Sequence, residues 1–185
     1  MTTLLIVLAV VAAFALITYN RLVRLRLLTV NAWSDIEVQL KRRHDLIPSV
    51  VETVKGYAGH ERKTLETVIE ARNRAVQAKG PAALGEAERD LLASVRQLFA
   101  LAEAYPDLKA SENFLSLQRT LAELEDTIQS ARRYYNASVR DLNTAIQQFP
   151  SNLIAGPFGF RAAEFFGLDS PAEREVPKIE FGQQG

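Results

Sequence analysis

The chain has 185 residues, with 22 Lys plus Arg balanced by 22 Asp plus Glu, and no cysteine. Zero net charge argues against a broad nucleic-acid surface, which needs a sustained positive excess. The lack of cysteine excludes a disulfide framework and thiol chemistry but is compatible with any compartment.

Leu4 to Ile17 is an unbroken apolar run, closed by Thr18, Tyr19 and Asn20 and followed by Arg21, Arg24 and Arg26. As a helix, Thr2 to Tyr19 spans about 27 Å, close to the thickness of a bilayer's hydrocarbon core. The run has no polar face, which fits a buried core helix poorly. A cleaved signal is the competing reading, with Ala13-Phe14-Ala15 as its cleavage site. It lacks the basic start a signal wants, and the apolar stretch continues past Ala15. The expectation is an uncleaved anchor over residues 1–19. Arg21, Arg24 and Arg26 sit at the headgroup level, where each gains about 1 kcal/mol beside anionic lipid. Cytoplasmic flanks are the ones rich in Lys and Arg, which places the N-terminus outside and the rest in the cytoplasm.

Leu, Ala, Glu, Arg and Gln dominate the remainder, and no alternating strand pattern of useful length is present. A first long helix is expected from about Asn20 to Lys79, with its continuity into the anchor left open. Heptad steps from Val30 run through Trp33, Glu37, Leu40, His44, Ile47, Val51, Val54, Ala58, Glu61, Leu65, Val68, Arg72 and Ala75. Pro48 predicts a kink or break between Asp45 and Pro48, and Gly56 and Gly59 form a second weak point. The apolar phase does not slip at either place, which favours one kinked helix over two. Gly80-Pro81 ends it. A second helix is expected over about Ala82 to Ala104, with Leu84, Leu91, Val95, Leu98 and Ala102 as its stripe. Tyr105-Pro106-Asp107 makes a turn, after which Asp107 or Ser111 can cap a third helix running to Phe149. The expected fold is all-α, an N-terminal transmembrane helix followed by an antiparallel bundle of long helices over residues 20–167.

Leu153 to Gly167 carries Phe158, Phe160, Phe165 and Phe166 between glycines. These rings pack back on the bundle end, or they form an oligomer or membrane contact. Residues 168–185 are polar with scattered Pro and Gly and are expected to be a disordered tail.

The chemical inventory is short. His60-Glu61 begins like H-E-x-x-H, but Thr64 stands where the second histidine belongs. Lys41 and Tyr57, each three before a histidine, exclude the Glu-x-x-His pairs of a di-iron bundle. Nucleophile elbows, P-loops and dinucleotide fingerprints are absent. No enzyme activity, cofactor or metal is expected. The basic run Lys41-Arg42-Arg43-His44 fans around a helix and reads as a solvated face, ion-paired with Asp35, Glu37 or Asp45. Glu37, His44, Glu61 and Arg72 take inward heptad phases, and buried charges must be paired. Glu125, Arg132, Arg133, Asn136 and Asn143 on the third helix are available to them. Glu37, His44, Glu61, Arg72, Arg132 and Asn136 are the candidate polar network, fixing helix register or lining a recognition groove.

The chain resembles the LemA family of bacterial membrane proteins. The likeness rests on Tyr19-Asn20-Arg21-Leu22-Val23, on the run from Ala32 to Arg43, on Asp45-Leu46-Ile47-Pro48, and on Val51 to Ala58. The second half adds Tyr105 to Ala110, Asn113-Phe114, Arg132 to Asn136 and Phe149-Pro150. Ser49 follows the proline where the family pattern has Asn, and Leu142-Asn143 replaces a second Tyr-Asn pair. The resemblance implies a single-pass protein of the bacterial inner membrane with a helical-bundle domain, and it implies no defined activity. Family members occur beside membrane metalloproteases of the HtpX type or TPM-domain proteins, and a related magnetosome protein takes part in membrane organisation. The functional expectation is a scaffold that self-associates or organises envelope complexes, with a protease adaptor or a membrane-remodelling protein as alternatives. Its expected partners are the lipid bilayer, other copies of itself, and one of those neighbouring membrane proteins.

Overall fold

A computed structural model describes residues 1–167. The expected disordered tail, 168–185, lies outside the described residues. Among the described residues every regular element is helical: α1 Thr2–Lys55, α2 Arg62–Gln77, α3 Pro81–Ala102, the short α4 Pro106–Lys109, α5 Glu112–Gln147 and the short α6 Asn152–Ala155.

The anchor stretch and the first bundle helix are one element, α1. Its apolar N-terminal part is exposed and is long and apolar enough to cross a membrane. Burial begins at Thr18 and Leu22. Four long helices, rather than three, then run up, down, up and down. α2 folds back on α1, α3 on α2, and α5 returns along the part of α1 that follows the exposed apolar stretch.

The expected single kinked helix is therefore two. Proline does not break it: α1 continues through Pro48 and ends at Lys55, with Gly56 as its C-cap. Residues 56–61 make the turn, where two glycines lower the local preference for helix. Pro48 is tolerated because the carbonyl it leaves without a helical donor, that of His44, is reached from α2. Arg72 Nε donates to it at 3.2 Å. In the other turns, Gly80 supplies a φ of 83° before Pro81. Ser111 sits at the N-cap of α5, although its side chain makes no capping hydrogen bond.

The buried face of α1 also differs from the expected heptad. From Leu40 onward the expected positions are buried. Nearer the membrane, Val30 and Glu37 are exposed, and Thr29, Ala32 and Ile36 are buried instead. α2 ends at Gln77, with Ala78 against the cluster that holds Leu40, so among the described residues no helix covers the Val30 side. An α-helix also drifts about 20° per heptad against a strict seven-residue repeat.

Three core clusters succeed one another along the bundle. The distal one holds Ile47, Val54, Val68, Leu91, Leu98 and Phe114; the middle one holds Ala32, Ile36, Leu40, Tyr135 and Phe166; the membrane-end one holds Leu22, Ala145, Ala155 and Phe160. Where α2 and α3 no longer reach, the C-terminal segment after α6 takes their place and closes the groove between α1 and α5.

Candidate functional site

Two polar constellations lie inside the bundle. The first joins all four long helices. Arg43 of α1 pairs with Glu88 of α3 through Nη2 and with Glu125 of α5 through Nη1 at 2.6 Å. His44 Nε2 lies 2.5 Å from the other Glu88 oxygen. An ionised carboxylate only accepts, so Nε2 carries the hydrogen and donates. Gln129 Nε2 donates to Glu125 at 2.7 Å, and Arg72 of α2 completes the set on the His44 carbonyl. Arg43, His44 and Glu88 are buried. Arg43 Nε is buried without a hydrogen-bond partner, a cost of about 1–3 kcal/mol for an unmet donor. Burial pushes the Glu88 carboxyl up, but the His44 hydrogen bond and the Arg43 charge outweigh it. The group sits below its ordinary value.

This explains Arg43, read from sequence as part of a solvated basic face. Of that run only Lys41 and Arg42 are exposed, with Lys41 on Asp45 at 2.6 Å. The missed signals were periodic. Leu22, Thr29, Ile36, Arg43 and Val50 recur every seven residues and are all buried. Glu88 stands between Leu84 and Leu91 on the α3 stripe.

If Pro48 and Arg72 share the His44 carbonyl, their effects are coupled. Arg72→Ala is expected to cost about 1 kcal/mol, the net value of one hydrogen bond. In a Pro48→Ala background, where residue 48 regains its amide, that cost should nearly vanish. Denaturant unfolding of the four variants measures the coupling; equal costs in both backgrounds would remove the link.

The second constellation fastens the C-terminal strap, residues 161–167, into the α1–α5 groove. Asn136 Nδ2 donates to the Phe166 carbonyl at 3.1 Å, and the Phe166 amide donates to Asn136 Oδ1 at 3.0 Å. Asn143 makes the same pair with Ala163, at 3.0 and 2.8 Å. Seven helical residues rise about 10.5 Å and three extended residues about 10 Å, so the two spacings match as the strap runs antiparallel to α5. Tyr135 OH donates to the Glu164 carbonyl at 2.8 Å. Burial, and then the Glu164 charge, raise its pKa to about 12. Arg132 donates to the Gly167 carbonyl. α3 crosses the strap end at Gly85, where a Cβ would lie 2.6 Å from the Gly167 Cα; only glycine fits.

The six candidate network residues thus do not form one group. His44 and Arg72 join the buried charge cluster, and Arg132 and Asn136 hold the strap. Glu61 is half-buried at the start of α2, and Glu37 is exposed. The four phenylalanines also separate. Phe166 is buried against Trp33, with ring centroids 5.7 Å apart, and Phe165 packs beside it, half-buried. Phe160 is buried at the membrane end and Phe158 is exposed there. Arg21, Arg24 and Arg26 are exposed, with Arg26 lying 5.3 Å over the Phe160 ring. Among the described residues no group of three His, Cys, Asp or Glu could hold a metal ion.

The model of the LemA family matches residues 32–181. Magnetosome protein MamQ 2 of Paramagnetospirillum magneticum is 27% identical over 188 residues, covering 86% of this chain and 69% of its own. Magnetosome protein MamQ of Magnetospirillum gryphiswaldense is 24% identical over 159 residues, covering 72% and 58%. Protein LemA of Metamycoplasma hominis is 29% identical over 129 residues, covering 68% and 58%.

Proposed function

The chain belongs to the LemA family, and from that premise we propose that this membrane-associated helical protein is a non-enzymatic scaffold that self-associates. The observation that carries the reading is an apolar stripe on α1 which the described residues leave uncovered. Leu27, Val30 and Val38 are 54%, 54% and 49% exposed, and with Ser34 between them they share one helical face. Exposed apolar surface at helical spacing marks an interaction site. The stripe continues the anchor, so two copies held in one membrane already present it side by side. No flexible linker separates anchor from bundle, since α1 is unbroken from Thr2 to Lys55. The orientation set in the membrane therefore passes directly to the bundle, as suits a part that organises neighbouring membrane proteins. Arg21, Arg24 and Arg26 favour a cytoplasmic bundle and an outside N-terminus, in the bacterial inner membrane.

Full-length protein extracted in mild detergent is expected to give a defined multimer by light scattering. Val30→Glu should convert it to monomer while keeping its helical content, because Val30 supports no core contact. A wild-type monomer would overturn self-association. If that monomer carried a membrane protease, the adaptor role would replace it.

A further inference from the structure

The end of the bundle nearest the anchor carries a second apolar surface, separate from the α1 stripe. After α5 the chain turns through Phe149 and Pro150, forms α6, and reverses at residues 156–160 before entering the strap. This turn comes up to Tyr19, the residue that closes the apolar run. The Phe158 ring lies 5.1 Å and the Phe160 ring 5.7 Å from the Tyr19 ring, both edge-on. Phe160 is buried, whereas Phe149, Leu153 and Phe158 are 73%, 61% and 61% exposed. A turn placed in water would expose three large apolar side chains for no return.

Its position along α1 argues otherwise. Thr2 to Tyr19 is the length that fills the hydrocarbon core, so Tyr19 marks the plane where the anchor leaves it. Aromatic rings concentrate at that plane, and short apolar elements lie there about 5–10 Å deep. Arg21, Arg24 and Arg26 surround the same level, with Arg26 over Phe160. We propose that the α6 turn is a second membrane contact, seating Phe149, Leu153 and Phe158 in the bilayer interface beside the anchor. One transmembrane helix leaves the bundle free to swivel and tilt; a second contact, off the helix axis, fixes its stance. The partner is the lipid interface itself, argued from the continuity of this turn with the anchor at a fixed depth.

The lack of native cysteine permits a direct test. Leu153→Cys and Phe158→Cys, with Lys109→Cys on distal α4 as reference, each carry one environment-sensitive fluorophore. The full-length variants are placed in phosphatidylcholine–phosphatidylglycerol vesicles. Leu153 makes no ring contact with the anchor, so its variant stands even if replacing Phe158 disturbs the fold. Nitroxides near the lipid headgroup are expected to quench most of the emission at 153 and 158, aqueous iodide little of it, and the label at 109 should behave in reverse. Iodide quenching at 153 and 158 equal to that at 109 would overturn the proposal. Shielding from both quenchers, with energy transfer between labels on separate copies, would also overturn it and assign the surface to a second copy of the chain.

Discussion

Glu88→Ala is expected to lower the stability of the bundle by about 3–5 kcal/mol, the cost of removing one partner from a buried ion pair. The size follows from what stays behind. Arg43 keeps only Glu125, and His44 loses the acceptor of its Nε2 hydrogen, both in a buried setting. The charges themselves are not the source of net stability, and this can be separated. Replacing the set together, as Arg43→Met with His44→Leu and Glu88→Leu, removes the desolvation cost along with the attraction and should cost far less than the single change, or nothing. Denaturant unfolding followed through Trp33, the single tryptophan, measures both. If the triple variant were as damaged as Glu88→Ala, packing rather than unpaired charge would be the cause. The pH dependence has a definite sign. The folded Glu88 pKa is lowered, so its contribution is present above the ordinary value of 4.5 and is lost as pH falls through the lowered folded value. Wild type should lose more stability on acidification than Glu88→Gln, which has no proton to take up there.

Much of this fold was legible because it follows from local rules. The anchor announced itself by length, and Gly80-Pro81 and Pro106 ended helices where proline and glycine do so. The break after Lys55 was harder, because both glycines sit in a stretch whose apolar phase continues across them. Helix preference there is decided by about 1 kcal/mol per glycine, and tertiary closure of the turn wins. At Pro48 the opposite happened: the penalty was met by Arg72, which lies 24 positions further along. Such a remedy is invisible to any rule about neighbours. The inward face of α1 near the membrane was misjudged for a similar reason. Which side of a helix is buried depends on where the facing helix stops, and Val30 lies beyond the reach of α2. That error is informative, since the described residues leave Val30 uncovered, and the proposed self-association starts from that observation. Of the polar candidates, His44 and Arg72 meet in the charge cluster and Arg132 and Asn136 hold the strap, whereas Glu37 is exposed, and the division into two groups was not deducible. Glu88 and Arg43 sit on apolar stripes as a carboxylate and a guanidinium must when each is the other's compensation. The strap has no helical or strand period at all, and only its phenylalanines hinted that it packs.

Asn136→Ala with Asn143→Ala is expected to release the strap while leaving the helices intact. Each asparagine presents one donor and one acceptor to a single backbone residue, satisfying the amide and carbonyl of Phe166 or of Ala163 together. Alanine leaves four backbone groups in the groove without partners. At about 1–3 kcal/mol for each buried unmet group, the docked strap is no longer favoured over one hydrated in solvent. Detachment then withdraws Phe166 from Trp33 and uncovers the α1–α5 groove. Trp33 emission should shift to longer wavelength and a protease should cut within residues 161–167, with helical content by circular dichroism unchanged. Single changes should act less, since seven residues of α5 away the second clamp still holds the strap in register. An unshifted Trp33 in the double variant would mean that Phe166 and the Tyr135 hydrogen bond hold the strap unaided. The outcome bears on the whole architecture. Near the membrane, among the described residues, only the short α6 and the strap pack against both α1 and α5, so the strap helps make a pair of helices into a closed bundle. A chain that loses it should keep its distal four-helix end and lose the closed packing of α1 on α5 nearer the anchor.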